Sequence, residues 1–110
     1  MAKLLNTVSV LGVKYDVYQD KNIADCDVYC KRYKQEIHIR KSKRMLDGKE
    51  STQEEKESRY REVMRHELLH AIFNSAGLDK YGYDETLVNF LASVYPQMTR
   101  IFEEMGCDKE

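Results

Sequence analysis

Cysteine, proline and long apolar runs are all scarce in this chain, and charge of a single sign is missing. Its 110 residues hold three cysteines, an odd number without framework spacing, which argues against a disulfide scaffold and suits a reducing compartment. No apolar run approaches the roughly 20 residues that a membrane-spanning helix needs. The segment from Met1 to Val13 also lacks the charged, then apolar, then small-residue order of a secretory signal. Formal net charge is -1 with both signs interspersed, so there is neither a basic footprint for nucleic acid nor an acidic tail. The expectation is a soluble, cytoplasmic protein with no membrane and no nucleic-acid partner. Residues 1–110 suffice for one domain with one modest core and are too few for a second.

What is present falls into strands first and helices after. Thr7 to Asp20 alternates valine and tyrosine with polar residues around Gly12, the period-2 pattern of a hairpin. Asp27 to Arg40 carries Val28, Tyr29 and Tyr33 and then Glu36-Ile37-His38-Ile39-Arg40, which reads as a half-exposed strand with isoleucines on one face and charges on the other. His38 then points away from the isoleucines, into solvent. Cys26 and Cys30 could give two thiolates to a structural zinc, but with no second pair nearby they read as ordinary thiols. Lys41 to Glu50, with Asp47-Gly48, reads as a loop.

Ser51-Thr52-Gln53-Glu54-Glu55 offers two overlapping capping boxes, Ser51 with Glu54 and Thr52 with Glu55, so a helix starts here. Its first turns are charged and read as a solvated face. From Val63 to Phe73 almost no wet side is left, which predicts burial, and Gly77 is placed to end the helix as an αL cap. A short loop with Gly82 follows. Asp84 then acts as N-cap of a second helix, with Tyr83 and Val88 forming a hydrophobic staple. Apolar residues from Leu87 to Met105 recur at helical spacing as one stripe facing the first helix. Pro96, the sole proline, removes a hydrogen bond and predicts a kink or break near Ala92 to Tyr95; Gly106 closes the helix. The fold class is α+β, a small antiparallel sheet packed on one helix and closed by another.

The most informative stretch is His66-Glu67-Leu68-Leu69-His70. On a helix, positions i and i+4 share a face, so both imidazoles can reach one metal ion while Glu67 flanks it. Buried among leucines, these polar groups need partners, and a metal satisfies them together. A catalytic zinc takes a third protein ligand. Glu85 leads, in the first turn of the second helix, with Asp84 and then Asp79 as alternatives. Asn89, one turn beyond Glu85, could hydrogen-bond a liganding histidine. Zinc, favoured by imidazole and carboxylate ligands over manganese or cobalt, would activate water, with Glu67 as general base for peptide-bond hydrolysis. Tyr81, Tyr83 and Tyr95 are candidate donors to a developing oxyanion. The strand Glu36 to Arg40 could bind an extended peptide by edge pairing. Two rival readings remain open: a binding or regulatory module that keeps zinc without turnover, and a metal-free protein that dimerises through the Leu87 to Met105 stripe.

His66-Glu67-Leu68-Leu69-His70-Ala71-Ile72 resembles the active helix of the zincin metallopeptidases, and Glu85 with Asn89 looks like the glutamate-ligand segment of the gluzincin branch. Within that branch the chain is most similar to the small ImmA/IrrE metallopeptidases of bacteria, phages and mobile elements. There the H-E-x-x-H helix is followed by a segment of the type E-x-x-A-N-x-F-A and a proline. The counterpart here is Glu85-Thr86-Leu87-Val88-Asn89-Phe90-Leu91-Ala92 with Pro96. The resemblance implies a cytoplasmic zinc peptidase acting on a protein or peptide, with His66, His70 and Glu85 as ligands and Glu67 as base. Val88 departs from the small alanine of that pattern, and the chain carries no DNA-binding domain.

Overall fold

The computed structural model describes residues 3–19, 28–31, 35–39 and 52–110. Strands β1 (Lys3–Val10) and β2 (Val13–Gln19) form the expected hairpin. Its turn residues Leu11 and Gly12 both have positive φ, 49° and 85°, the mirror-image turn whose twist matches that of the strands it joins. Strands β3 (Val28–Lys31) and β4 (Glu36–Ile39) complete a four-stranded sheet in the order β1-β2-β4-β3. The architecture is α+β, but the sheet is mixed: β4 runs parallel to β2 and antiparallel to β3. After β2 the chain passes to the far edge, and β4 returns to fill the gap.

That central position overturns the half-exposed strand. Ile37 and Ile39 are fully buried and His38 is 5% exposed. The outer face of β4 is covered locally: the His38 ring stacks on Tyr18 with centroids 5.1 Å apart, and its Nε2 bonds Glu36 Oε1 at 2.8 Å. With β2 and β3 on its two sides, β4 also has no edge to offer a peptide.

Helix α1 (Gln53–Ser75) starts at Thr52, whose side chain accepts from Glu55 N while Glu55 answers to the Thr52 backbone. This is the second of the two capping boxes; Ser51 lies outside the described residues, as do Cys26 and the expected loop Lys41 to Glu50. At the other end Gly77 has φ 74°, and Leu78 N donates to Phe73 O and Gly77 N to Asn74 O, a Schellman closure. Val63 and Ala71 pack into the core formed by Val10, Tyr15, Val17, Ile37 and Ile39 on the sheet. Burial follows one stripe, Val63, Glu67 and Ala71; Ile72 is 40% exposed, because sheet and neighbouring helix leave a third side of α1 wet.

The expected short loop contains a one-turn helix, α2 (Asp79–Gly82). A Cβ on Gly82 would stand 3.2 Å from Phe73 Cβ and 3.3 Å from Asn74 Oδ1, so a larger residue would press this turn away from α1 by a few tenths of an ångström. It delivers α3 (Glu85–Glu104) alongside α1, with Asp84 as N-cap accepting from Leu87 N at 3.1 Å. The helix runs through Pro96 without a break. Val88 and Ala92 are buried, whereas Tyr95, Ile101, Phe102 and Met105 are exposed. Only the first half of the apolar stripe is therefore covered. Among the described residues, no helix is long and apolar enough to cross a membrane.

Candidate metal centre

Two turns of α1 bring the histidine rings to one face, and the first turn of α3 brings a carboxylate to meet them. His66 Nε2 and His70 Nε2 are 3.1 Å apart. Glu85 Oε2 lies 3.2 Å from His66 Nε2, and Glu85 Oε1 lies 3.0 Å from His70 Nε2. Tetrahedral zinc with bonds of about 2.0–2.1 Å needs donors about 3.3 Å apart, so the trio fits within a few tenths of an ångström. Both histidine side chains are mostly buried and Glu85 is 60% exposed, which leaves one side of the trio open.

Among the described residues, His66, His70 and Glu85 are the one group of this kind. Asp84 does not join it because an N-cap must turn its oxygen back onto its own first turn, as the bond to Leu87 N records. Glu85, one residue on, is free to project sideways. Asp79 opens α2 and is also outside the trio.

Burial is the main influence that lowers the pKa of His66, helped by His70 and opposed by Glu85 and by a hydrogen bond that the ring donates to the Asn89 side chain. The neutral ring that results is the form that offers a nitrogen lone pair. Asn89 thus holds the position expected for it. Glu67 sits in the buried stripe of α1, 5% exposed, with Oε1 3.9 Å from His66 Nε2. Burial first, and the charge of Glu85 second, push its carboxyl from 4.5 up to about 7. It stands beside the trio rather than in it.

A cleft of about 120 Å³ opens next to His66 and Asn89, lined also by Arg59, Glu62, Val63 and Ala92. The charged first turns of α1 are largely exposed, as their composition implies, and Arg59, Glu62 and Val63 precede His66 by seven, four and three residues. That spacing places them on the histidine face and could have identified them. Tyr81 packs against Phe73 at 6.4 Å, Tyr83 is 69% exposed, and Tyr95 lies about 15 Å along the helix from Glu85. Cys30 lies in β3, and Cys107 is free and exposed. Compared with protein-family models, curated proteins and solved structures, the chain matches none.

Proposed function

We propose that the protein is a zinc-dependent metallopeptidase, held in the cytoplasm and acting on a protein or peptide. The reading rests on one observation: three donor groups meet at 3.0–3.2 Å with a buried carboxylate 3.9 Å from the first of them. His66, His70 and Glu85 would hold the ion. Zinc, when bound, supplies a Lewis acid that polarises a carbonyl oxygen and lowers the pKa of water towards about 7.

The remaining work falls to the chain. An amide departs only if its nitrogen is protonated, so the reaction needs a group that takes a proton from water and returns it to the amine. Glu67 is suited to both. It lies in the buried stripe of α1, 3.9 Å from His66 Nε2, close enough to serve a water held by the ion. Asn89 orients the His66 ring through its hydrogen bond, as outer partners of liganding histidines do. The open side of the trio, beside the cleft, is where substrate would approach.

Cleavage of a denatured-protein or peptide library, with zinc content measured in the same samples, tests the reading. Glu67→Gln is expected to retain zinc and to lose cleavage by at least about a hundredfold. Equal rates in wild type and variant would overturn it. So would zinc bound by both with cleavage by neither, the behaviour of a binding module.

A further inference from the structure

Pro96 leaves a gap in the hydrogen bonding of α3, and another helix fills it. A proline has no N–H for the carbonyl four residues earlier, so the Ala92 oxygen loses its usual helical donor. Ala92 is 1% exposed, too deep for solvent to serve it freely. Arg65 on α1 donates from Nε to Ala92 O at 2.7 Å, across 27 residues of sequence. The bond is short and charge-assisted. At one end it lies next to His66 in the chain, and at the other it lies about two turns from Glu85 on α3.

The geometry points to Arg65 as a positioning residue that sets the register of α3 on α1, and through it the approach of Glu85 to His66 and His70. The inference rests on the metal reading of that trio and adds to it a device outside the donor group. Val88 and Ala92 supply apolar contact along the seam, which resists separation but not sliding. A guanidinium held to one carbonyl resists sliding too. The register matters because one residue of slip along α3 turns Glu85 by about 100° about the helix axis. Pro96 leaves this carbonyl without an i+4 amide, so the guanidinium stands in for its missing helical donor.

Two variants of the full chain separate positioning from mere satisfaction of a carbonyl. Arg65→Met is expected to lower thermal stability and to weaken zinc binding about tenfold or more, as loss of an outer partner does. Adding Pro96→Ala gives Ala92 O a helical donor again, so stability returns while zinc binding stays weak. Zinc binding that returns together with stability, or that is unchanged in Arg65→Met, overturns the proposal. If Arg65→Met alone does not fold, the double variant carries the test.

Amide hydrogen exchange over Leu87 to Leu91 in chelator-treated protein reads the same seam without the ion. Exchange about tenfold faster in both variants supports the clamp. Should wild type bind no zinc, the metal reading falls by itself, and unchanged exchange in Arg65→Met would overturn the clamp separately.

Discussion

Histidine meets glutamate once on the sheet and once between the helices. On β4, His38 Nε2 bonds Glu36 Oε1 at 2.8 Å beneath the ring of Tyr18, and the histidine is 5% exposed. Ring, carboxylate and covering aromatic lie together beside the parallel pairing of β2 and β4. Between α1 and α3, two imidazole nitrogens and a carboxylate crowd within 3.0–3.2 Å, with Glu85 largely exposed. Each neutral imidazole has one N–H and one lone pair, so three such groups facing inward have more lone pairs than protons to share. A cation resolves that crowding. Convergence of several acceptors, rather than contact between a histidine and a glutamate, marks the pair of helices as a place that can grip an ion.

The most forceful way to break this contrast is to remove one histidine from each place. His70→Ala is expected to weaken zinc binding by roughly a hundredfold or more, beyond the range for an outer partner. His38→Ala should leave it unchanged within about twofold, while costing about 2 kcal/mol of stability for a buried ring and its hydrogen bond. Competition with a chromogenic chelator gives the affinities and denaturant unfolding gives the stabilities. If both variants lose zinc alike, the contrast is false.

Glu67 sharpens the contrast next, because its burial runs against the stability of the metal-free protein. Its carboxyl titrates at about 7 when folded against an ordinary 4.5. Below pH 4.5 both states are protonated and the group contributes nothing. Between pH 4.5 and 7 the unfolded chain gives up the proton that the folded chain keeps, so stability falls as pH rises. Above pH 7 the loss is complete, about 3 kcal/mol. In chelator, Glu67→Gln should therefore gain on wild type as pH is raised from 4 to 8, by about that amount. Urea midpoints at the two pH values measure it, and a constant difference would show that the carboxylate is comfortably solvated.

The two places were not equally legible in the sequence. His66, Glu67 and His70 were readable because helical periodicity fixes which residues share a face, and Glu85 because a short connection from Gly77 to Asp84 forces the second helix back along the first. Asp84 was already legible as the N-cap of α3, a role that turns its oxygen onto its own first turn and leaves Glu85 to meet the histidines. His38 was misread for a different reason. Alternation along a strand tells which residues share a face but not which strand lies alongside, and the parallel pairing of Tyr18 with His38 comes from a chain path that alternation does not encode. The stripe on α3 failed likewise: spacing identifies the apolar face, but Tyr95, Ile101, Phe102 and Met105 on it stay exposed. Pro96 was legible as a lost hydrogen bond, whereas Arg65 as the replacement donor depends on the register of two helices distant in sequence.

Asn89 provides the finest test, since it shares a side-chain hydrogen bond with the ring of His66 as Glu36 does with that of His38. Asn89 is exposed, so Asn89→Ala should change stability by no more than about 0.5 kcal/mol. Its effect should fall on the ion instead, weakening zinc binding about tenfold as the His66 ring loses its orientation. Asn89→Asp retains an acceptor for a ring N–H and should bind zinc at least as tightly as wild type, a rescue that bulk packing cannot explain. If Asn89→Ala binds zinc unchanged, the trio orients itself.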